Sequence, residues 1–232
     1  MPREERYIMK TTLQPHASLW QRLAKLNAEK VRRHGRYAWT AFRCRVDRMC
    51  GHAYPGWIDA IPTHMTGLEK QILHGFARAL PRGSFMAEIG SYYGASSCCL
   101  ASGVREGKVY CIDTWMNDAV SDGRADVFAV WQGHTAPLAN VIAPVRGFSQ
   151  DVADRIPDQL SLLFVDGDHS YEAVKRDLLL YLPKLRAQGI LVLHDWSQGA
   201  VRRAVVERVH LQETERLVVL PNLYSCRVGQ RP

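Results

Sequence analysis

The sequence predicts an α/β fold in which a mostly parallel sheet is wound on both faces by helices. From Arg82-Gly83 onward, strand-like and helix-like stretches alternate, and alternation of this kind implies a parallel sheet. Two of the strand-like runs, LLFVD ending at Asp166 and ILVLHD ending at Asp195, are apolar throughout, as expected of central strands covered on both faces. The last two runs, RLVVL and LYSCRV, are joined only by Pro221-Asn222, so they should close the sheet as an antiparallel hairpin.

Taken in order, residues 1–15 read as disordered, one or two helices fill 17–50, and GHAYPGW is a Pro/Gly-punctuated link. Thr66 and Glu69 stand at capping-box spacing, and Leu68, Ile72, Leu73, Phe76 and Leu80 form one helical face that stops before Pro81. Next come the strand FMAEIG, a helix from about Ala95, the strand VYCID, a helix near Val127 to Leu138, and the short strand APVRG. Between LLFVD and ILVLHD, the spacing of Tyr171, Val174, Leu178, Tyr181 and Leu182 predicts a helix buried on one side, with Gly189 ending its connection. A helix around Val201 to Val209 precedes the hairpin, which brings the strands to seven. Two regions follow: a basic helical extension over 1–62 and the α/β domain over 63–232.

The chain has 232 residues, 47% of them apolar, enough for one well-buried domain with an appendage. It contains no run of about 18 apolar residues, and MPREERYIMK lacks the apolar core of a signal peptide, so a soluble, cytoplasmic protein without membrane association is expected. The six cysteines form no C-x-x-C pair and several sit in apolar runs such as SSCCLA, which reads as reduced core thiols. The net charge of +7 arises in residues 1–60, with 12 Lys/Arg against 5 Asp/Glu, whereas the remainder is balanced at 18 against 18. A basic arm can bind nucleic acid, but the apolar spacing of WQRLAKLNAEKVRRHGRYAW favours an amphipathic helix with a solvated basic face. No nucleic-acid partner is therefore expected, and the N-terminal helices offer a surface through which the chain could form a homo-oligomer.

Three groups of residues carry chemistry. The first is the turn Glu88-Ile89-Gly90-Ser91-Tyr92-Tyr93-Gly94-Ala95-Ser96, whose small residues and following helix N-terminus suit a carboxylate or phosphate. Its G-x-x-x-G spacing fits a pyrophosphate cradle poorly. The second is Asp113, at the end of the next strand, where nucleotide-binding sheets hold a ribose diol. The third joins Asp166, Asp168 and His169 to His194 and Asp195, at the carboxyl ends of neighbouring strands. Such charged groups need a partner, a cation or water; Asp166 or Asp195 could instead cap a helix or pair with an Arg.

In this order and spacing, AEIGSYYGASSCCLA, CIDTW, RGFSQD, FVDGDHSYEAVKRDL and GILVLHD resemble class I S-adenosylmethionine methyltransferases. The nearest likeness is to small-molecule O-methyltransferases of the catechol and caffeoyl-coenzyme A type, with VDGDHSY and LHD similar to a bacterial branch often linked to glycan and antibiotic sugar methylation. The resemblance covers about residues 64–228 and implies a Rossmann-like fold. It implies that Glu88, Gly90 and Gly94 floor the cofactor pocket, that Tyr92 and Ser96 lie near the methionine part, that Asp113 binds the ribose hydroxyls, and that Ser149 and Gln150 flank the adenine. It also makes Asp166, His194 and Asp195 a site for a divalent cation, Mg2+ or Mn2+. The family has an acid and an amide at the last two positions, so His194 and Asp195 depart from its pattern, and Asp168 could supply another carboxylate. His169 falls where the family carries the group that deprotonates the substrate hydroxyl, and an imidazole suits that task near neutral pH.

The expected reaction is therefore methyl transfer from S-adenosylmethionine to a hydroxyl of a small molecule, such as a sugar or natural product, with His169 and Asp166 as the catalytic pair. Competing readings are a nucleic-acid methyltransferase using the basic N-terminal region, a catalytically silent cofactor-binding interaction protein, and a nicotinamide dehydrogenase, with which the glycine spacing and terminal hairpin disagree. The acceptor pocket is expected from residues 1–65 and the loop Trp115 to Asp126.

Overall fold

A single seven-stranded sheet organises the described residues, with strand order β3-β2-β1-β4-β5-β7-β6. The strands are β1 Ser84–Ile89, β2 Gly107–Asp113, β3 Ile142–Arg146, β4 Leu160–Val165, β5 Leu185–His194, β6 Glu213–Val219 and β7 Leu223–Val228. Strands β1 to β5 run parallel, and β7 pairs antiparallel with both β5 and β6. The computed structural model describes residues 44, 45, 47, 51–116, 126–209 and 213–229, all within the unit Arg36–Pro232. Apart from residues 44, 45 and 47, which are helical, the predicted helices over 17–50 lie outside the described residues, as does most of the loop Trp115 to Asp126.

Alternate side chains of each strand feed two apolar layers. Met86, Leu162, Phe164, Ile190 and Val192 face α1 (Gly67–Ala79), α2 (Ala95–Gly103) and α3 (Val127–Thr135). Ala87, Ile89, Leu163, Val165, Leu191 and Leu193 face α5 (Tyr171–Tyr181) and α6 (Gly199–Val209), with the short α4 (Ser149–Val152) between β3 and β4. All six residues of β4 are buried, which explains a sequence without polar alternation. Full burial of each Leu or Phe there is worth roughly 1.5–3 kcal/mol, which holds the strand ends that carry the polar site.

Local signals set the helix starts. Thr66 caps α1 by the reciprocal box: Glu69 N donates to Thr66 Oγ1 at 3.3 Å, and Thr66 N donates to Glu69 Oε2 at 2.7 Å. Ile72, Leu73 and Leu80 are buried as their spacing requires. Upstream, Gly56–Ala60 forms a 3-10 turn that buries Ile58, and Tyr54, Ile61 and Met65 join the same apolar layer as α1 and α2. Gly189 does not end the connection from α5: it lies inside β5, opposite a register shift between Leu160 and Leu162. A Cβ there would come within 2.9 Å of the Arg186 carbonyl, so the glycine serves a bulge where the chain doubles closely on itself. No helix among the described residues is long and apolar enough to cross a membrane.

Candidate active site

The chain runs outward from β1 through β2 to β3, then returns to β4 on the other side of β1. That reversal leaves a crevice beyond the strand ends, the usual ligand position in open α/β sheets. A cavity of about 700 Å³ opens there, lined by Gly90, Tyr92, Gly94, Ser96, Asp113, Ser149, Gln150, Asp166, His169, His194 and Asp195. Pro62 to Met65 line it from the segment before α1. The sheet thus gathers every residue expected in the site except Glu88, which is fully buried beneath the cavity.

On the β1–β2 side, Asp113 Oδ2 accepts hydrogen bonds from Ser91 N at 2.8 Å and Tyr92 N at 2.9 Å, while Oδ1 accepts from Trp115 N at 2.8 Å. The carboxylate is fixed by three backbone donors and keeps lone pairs for a ligand diol. Glu88 accepts from Ser91 Oγ at 2.8 Å and from Ser97 Oγ, and burial pushes its carboxyl up against the opposing pull of these hydroxyls. It supports the turn from below and does not itself line the pocket. Gly90 adopts φ +87°, and a Cβ on it would lie 2.2 Å from the Asp166 carbonyl oxygen, so this glycine is demanded by the approach of β4.

Ser149 and Gln150 reach the cavity at the start of α4, but the Ser149 hydroxyl is already committed to Asp177 Oδ1 at 2.5 Å. Tyr181 Oη donates to the Ser149 carbonyl at 2.7 Å, so α5 holds this loop from two positions. Burial raises the Asp177 carboxyl to about 6, with Ser149 opposing the rise.

On the β4–β5 side five ionisable groups meet. His194, only 3% exposed, places Nδ1 3.2 Å from Asp166 Oδ1 and 3.2 Å from Asp195 Oδ2, and Nε2 3.7 Å from Glu69 Oε2. Burial alone would lower its pKa, but the Asp166 and Glu69 carboxylates outweigh it and push the imidazole up to about 10. His169 Nε2 stands 2.9 Å from Asp195 Oδ2 and 3.6 Å from Asp166 Oδ1, and neither contact is a hydrogen bond. Asp166 raises the His169 pKa, burial opposes, and Asp195 adds to the rise. Asp195 is desolvated, yet Gln198 and the two imidazoles hold its carboxyl below the usual range. Its φ of +52°, like +46° at Tyr92 and +48° at Trp115, puts non-glycine residues in the left-handed region around this cavity. Ser170, not His169, caps α5, accepting from Ala173 N at 3.3 Å.

The donor atoms that converge on one another, within 4.8 Å, belong to Asp166, His169 and Asp195. His194, expected from the resemblance to be a ligand, is turned between Asp166 and Glu69 instead. Exposed Asp168 accepts from Ser170 N at 2.8 Å in the loop before α5. Sequence reasoning took Glu69 only as a capping residue and passed over Asp177. Asp177 carried a usable signal: it sits on the buried stripe formed by Val174, Leu178 and Tyr181.

The raised His194 pKa predicts a pH-dependent stability. With a folded value near 10 and an ordinary value near 6.5, its contribution is full below about pH 6.5 and is lost progressively as pH rises towards 10. His194→Gln should flatten that part of the Tm-against-pH curve, read by thermal melts from pH 6 to 10. Parallel wild-type and variant curves would count against a charged His194.

Residues 87–196 match the sequence model of the family described as a methyltransferase domain. The protein y4gI of Sinorhizobium fredii is 28% identical over 116 residues, which span 47% of this chain and 13% of that protein. This chain therefore corresponds to about an eighth of that relative's length. Among solved structures, the Bacillus cereus O-methyltransferase in complex with S-adenosylhomocysteine aligns with a TM-score of 0.55 at 14% identity, covering 74% of this chain and 86% of that one. CalS11, a TDP-rhamnose 3'-O-methyltransferase of calicheamicin biosynthesis, aligns with a TM-score of 0.51 at 18% identity, covering 70% and 78%. Residues 87–196 thus resemble a methyltransferase domain in sequence, and the described residues share the fold of these methyltransferase structures.

Proposed function

We propose that the chain transfers a methyl group from S-adenosylmethionine to a hydroxyl of a small molecule, with a sugar or other natural-product ring as the acceptor class. The observation that carries this reading is the juxtaposition, in one cavity, of a fixed carboxylate at the end of β2 and an imidazole flanked by two carboxylates at the ends of β4 and β5. The first arrangement suits a ribose diol, and the cavity volume is ample for a nucleoside-sized ligand. The second suits removal of a hydroxyl proton. The fold likeness to a sugar O-methyltransferase supports the acceptor class, and the near balance of charge over residues 61–232 supports a small molecule over nucleic acid.

The cofactor, when bound, supplies an already activated methyl group, so the protein's part is alignment and proton management. Gly90 to Ser96 and Asp113 orient one end of the cavity. His169 takes the acceptor proton, and Asp166 and Asp195, which lie beside its Nε2, stabilise the imidazolium that forms. His194, lying behind Asp166 and Asp195, limits the charge that these carboxylates present to the cavity. A second reading is favoured by His169 Nε2, which makes no hydrogen bond although two carboxylates adjoin it. Asp166, His169 and Asp195 would then hold a divalent cation, and an imidazole among the donors favours Mn2+ over Mg2+. Such a cation would lower the pKa of a bound hydroxyl.

Asp113→Ala should weaken S-adenosylmethionine binding by about ten- to a hundredfold, the loss of roughly 1.5–3 kcal/mol of charge-assisted bonds. Calorimetry on the folded variant checks this, and unchanged affinity would remove Asp113 from the cofactor site. His169→Ala should keep cofactor affinity within about threefold while kcat falls by about 10²- to 10⁴-fold. Because its neighbours raise the His169 pKa, the wild-type rate should climb through a midpoint above 6.5, and that limb should vanish in the variant. Near-normal turnover in His169→Ala would sink the base assignment, while loss of wild-type activity on chelation, restored by Mn2+, would favour the cation.

A further inference from the structure

A glutamate in the first turn of a helix ordinarily stands in water, where its cap and the helix dipole satisfy it. Glu69 is instead 4% exposed. Removing a carboxylate from water is costly unless it meets hydrogen-bond donors and an opposite charge. Glu69 Oε2 meets both: Thr66 N at 2.7 Å and Thr66 Oγ1 at 2.9 Å on its own helix, and His194 Nε2 at 3.7 Å across the fold. The far side of the same ring stands 3.2 Å from both Asp166 Oδ1 and Asp195 Oδ2. Asn222 Nδ2, 3.4 Å from Nε2, is the other polar neighbour on the Glu69 side.

We infer that Glu69 is a positioning residue: through the buried His194 ring it holds Asp166 and Asp195 in the orientation that His169 and the acceptor require. This rests on the methyl-transfer reading above. Asp166 follows β4 and Asp195 follows β5 in a left-handed conformation, so neither strand alone fixes where its carboxylate points. His194 links the two, and a buried ring stays in one orientation only while both edges are engaged. Glu69 engages the inner edge. It lies upstream of the segment 87–196, so α1 contributes to the site a contact that the matched segment does not contain. A glutamate that served the cap alone would need only the Thr66 bonds and could remain at the surface.

The test compares Glu69→Gln with Ser161→Ala, a buried hydroxyl bonded to Ser84 at the opposite end of the sheet and remote from the cavity. Two quantities are read at one fixed pH: the ring ¹⁵N resonances of His194, and kcat with KM and cofactor affinity. Glu69→Gln should move the His194 resonances and lower kcat by about tenfold or more, with cofactor affinity within about threefold. Ser161→Ala should lose thermal stability without moving either. Should Glu69→Gln fail to fold, Glu69→Asp keeps the charge but shortens the reach by one methylene and should give the same changes at smaller size. Unmoved His194 resonances, or an unmoved kcat, in a folded Glu69 variant would overturn the inference. A wild type inactive towards every acceptor would instead defeat the proposed activity, leaving the ring resonances to decide whether Glu69 holds His194.

Discussion

At the crevice, β1 and β4 converge until Gly90 lies against the backbone carbonyl of Asp166. A side chain at Gly90 would overlap that carbonyl, and the Asp166 N–H is itself bonded to Ile89 O at 2.8 Å. The turn that leads from β1 into α2 and the turn that leads from β4 towards α5 are therefore one packed unit. Its rigidity comes from buried apolar strands beneath it, above all the fully enclosed β4. Any ligand lying along the first turn must present its far end to the side chains that follow the second. The placing of these two sets of side chains is thus a consequence of how closely two strands approach.

The electrostatics follow from the same crowding. Asp166, Asp195 and Glu69 converge from three elements, and desolvated carboxylates so close together repel unless a cation intervenes. His194 is the group the chain provides, held charged by its neighbours. This accounts for an imidazole at the position where the resemblance implied an acid, while the donor atoms of Asp166, His169 and Asp195 come within 4.8 Å of one another on the outer side. The left-handed backbone at Asp195 is the conformational cost of bringing that carboxylate round to meet both rings.

Much of this arrangement was legible in the sequence because it rests on local or periodic signals. Unbroken apolar runs marked β4 and β5, the short Pro221-Asn222 link marked the β6–β7 hairpin, and the interval between the glycine turn and Asp113 marked one side of the cavity. The interior register of β5 was not legible, since Gly189 at a bulge and a glycine ending a connection look alike in one dimension. Nor was the Glu69–His194 contact, because each residue had a sufficient local explanation and only the packing of α1 against the sheet brings them together. Asp177 lay between: a carboxylate on an apolar helical stripe announces a buried partner, but only the fold names Ser149.

The central claim of the proposed function is that a cofactor held on one side of the crevice methylates an acceptor held on the other. The most direct measurement is mass spectrometry of candidate glycosides and phenols incubated with the full chain and S-adenosylmethionine. The account predicts that at least one hydroxylated acceptor gains the mass of one CH2 group, in step with formation of S-adenosylhomocysteine, and that neither product forms with His169→Ala beyond a small residue of the wild-type rate. Tight cofactor binding with no acceptor modified across both classes would contradict it and leave the chain a cofactor-binding protein without turnover.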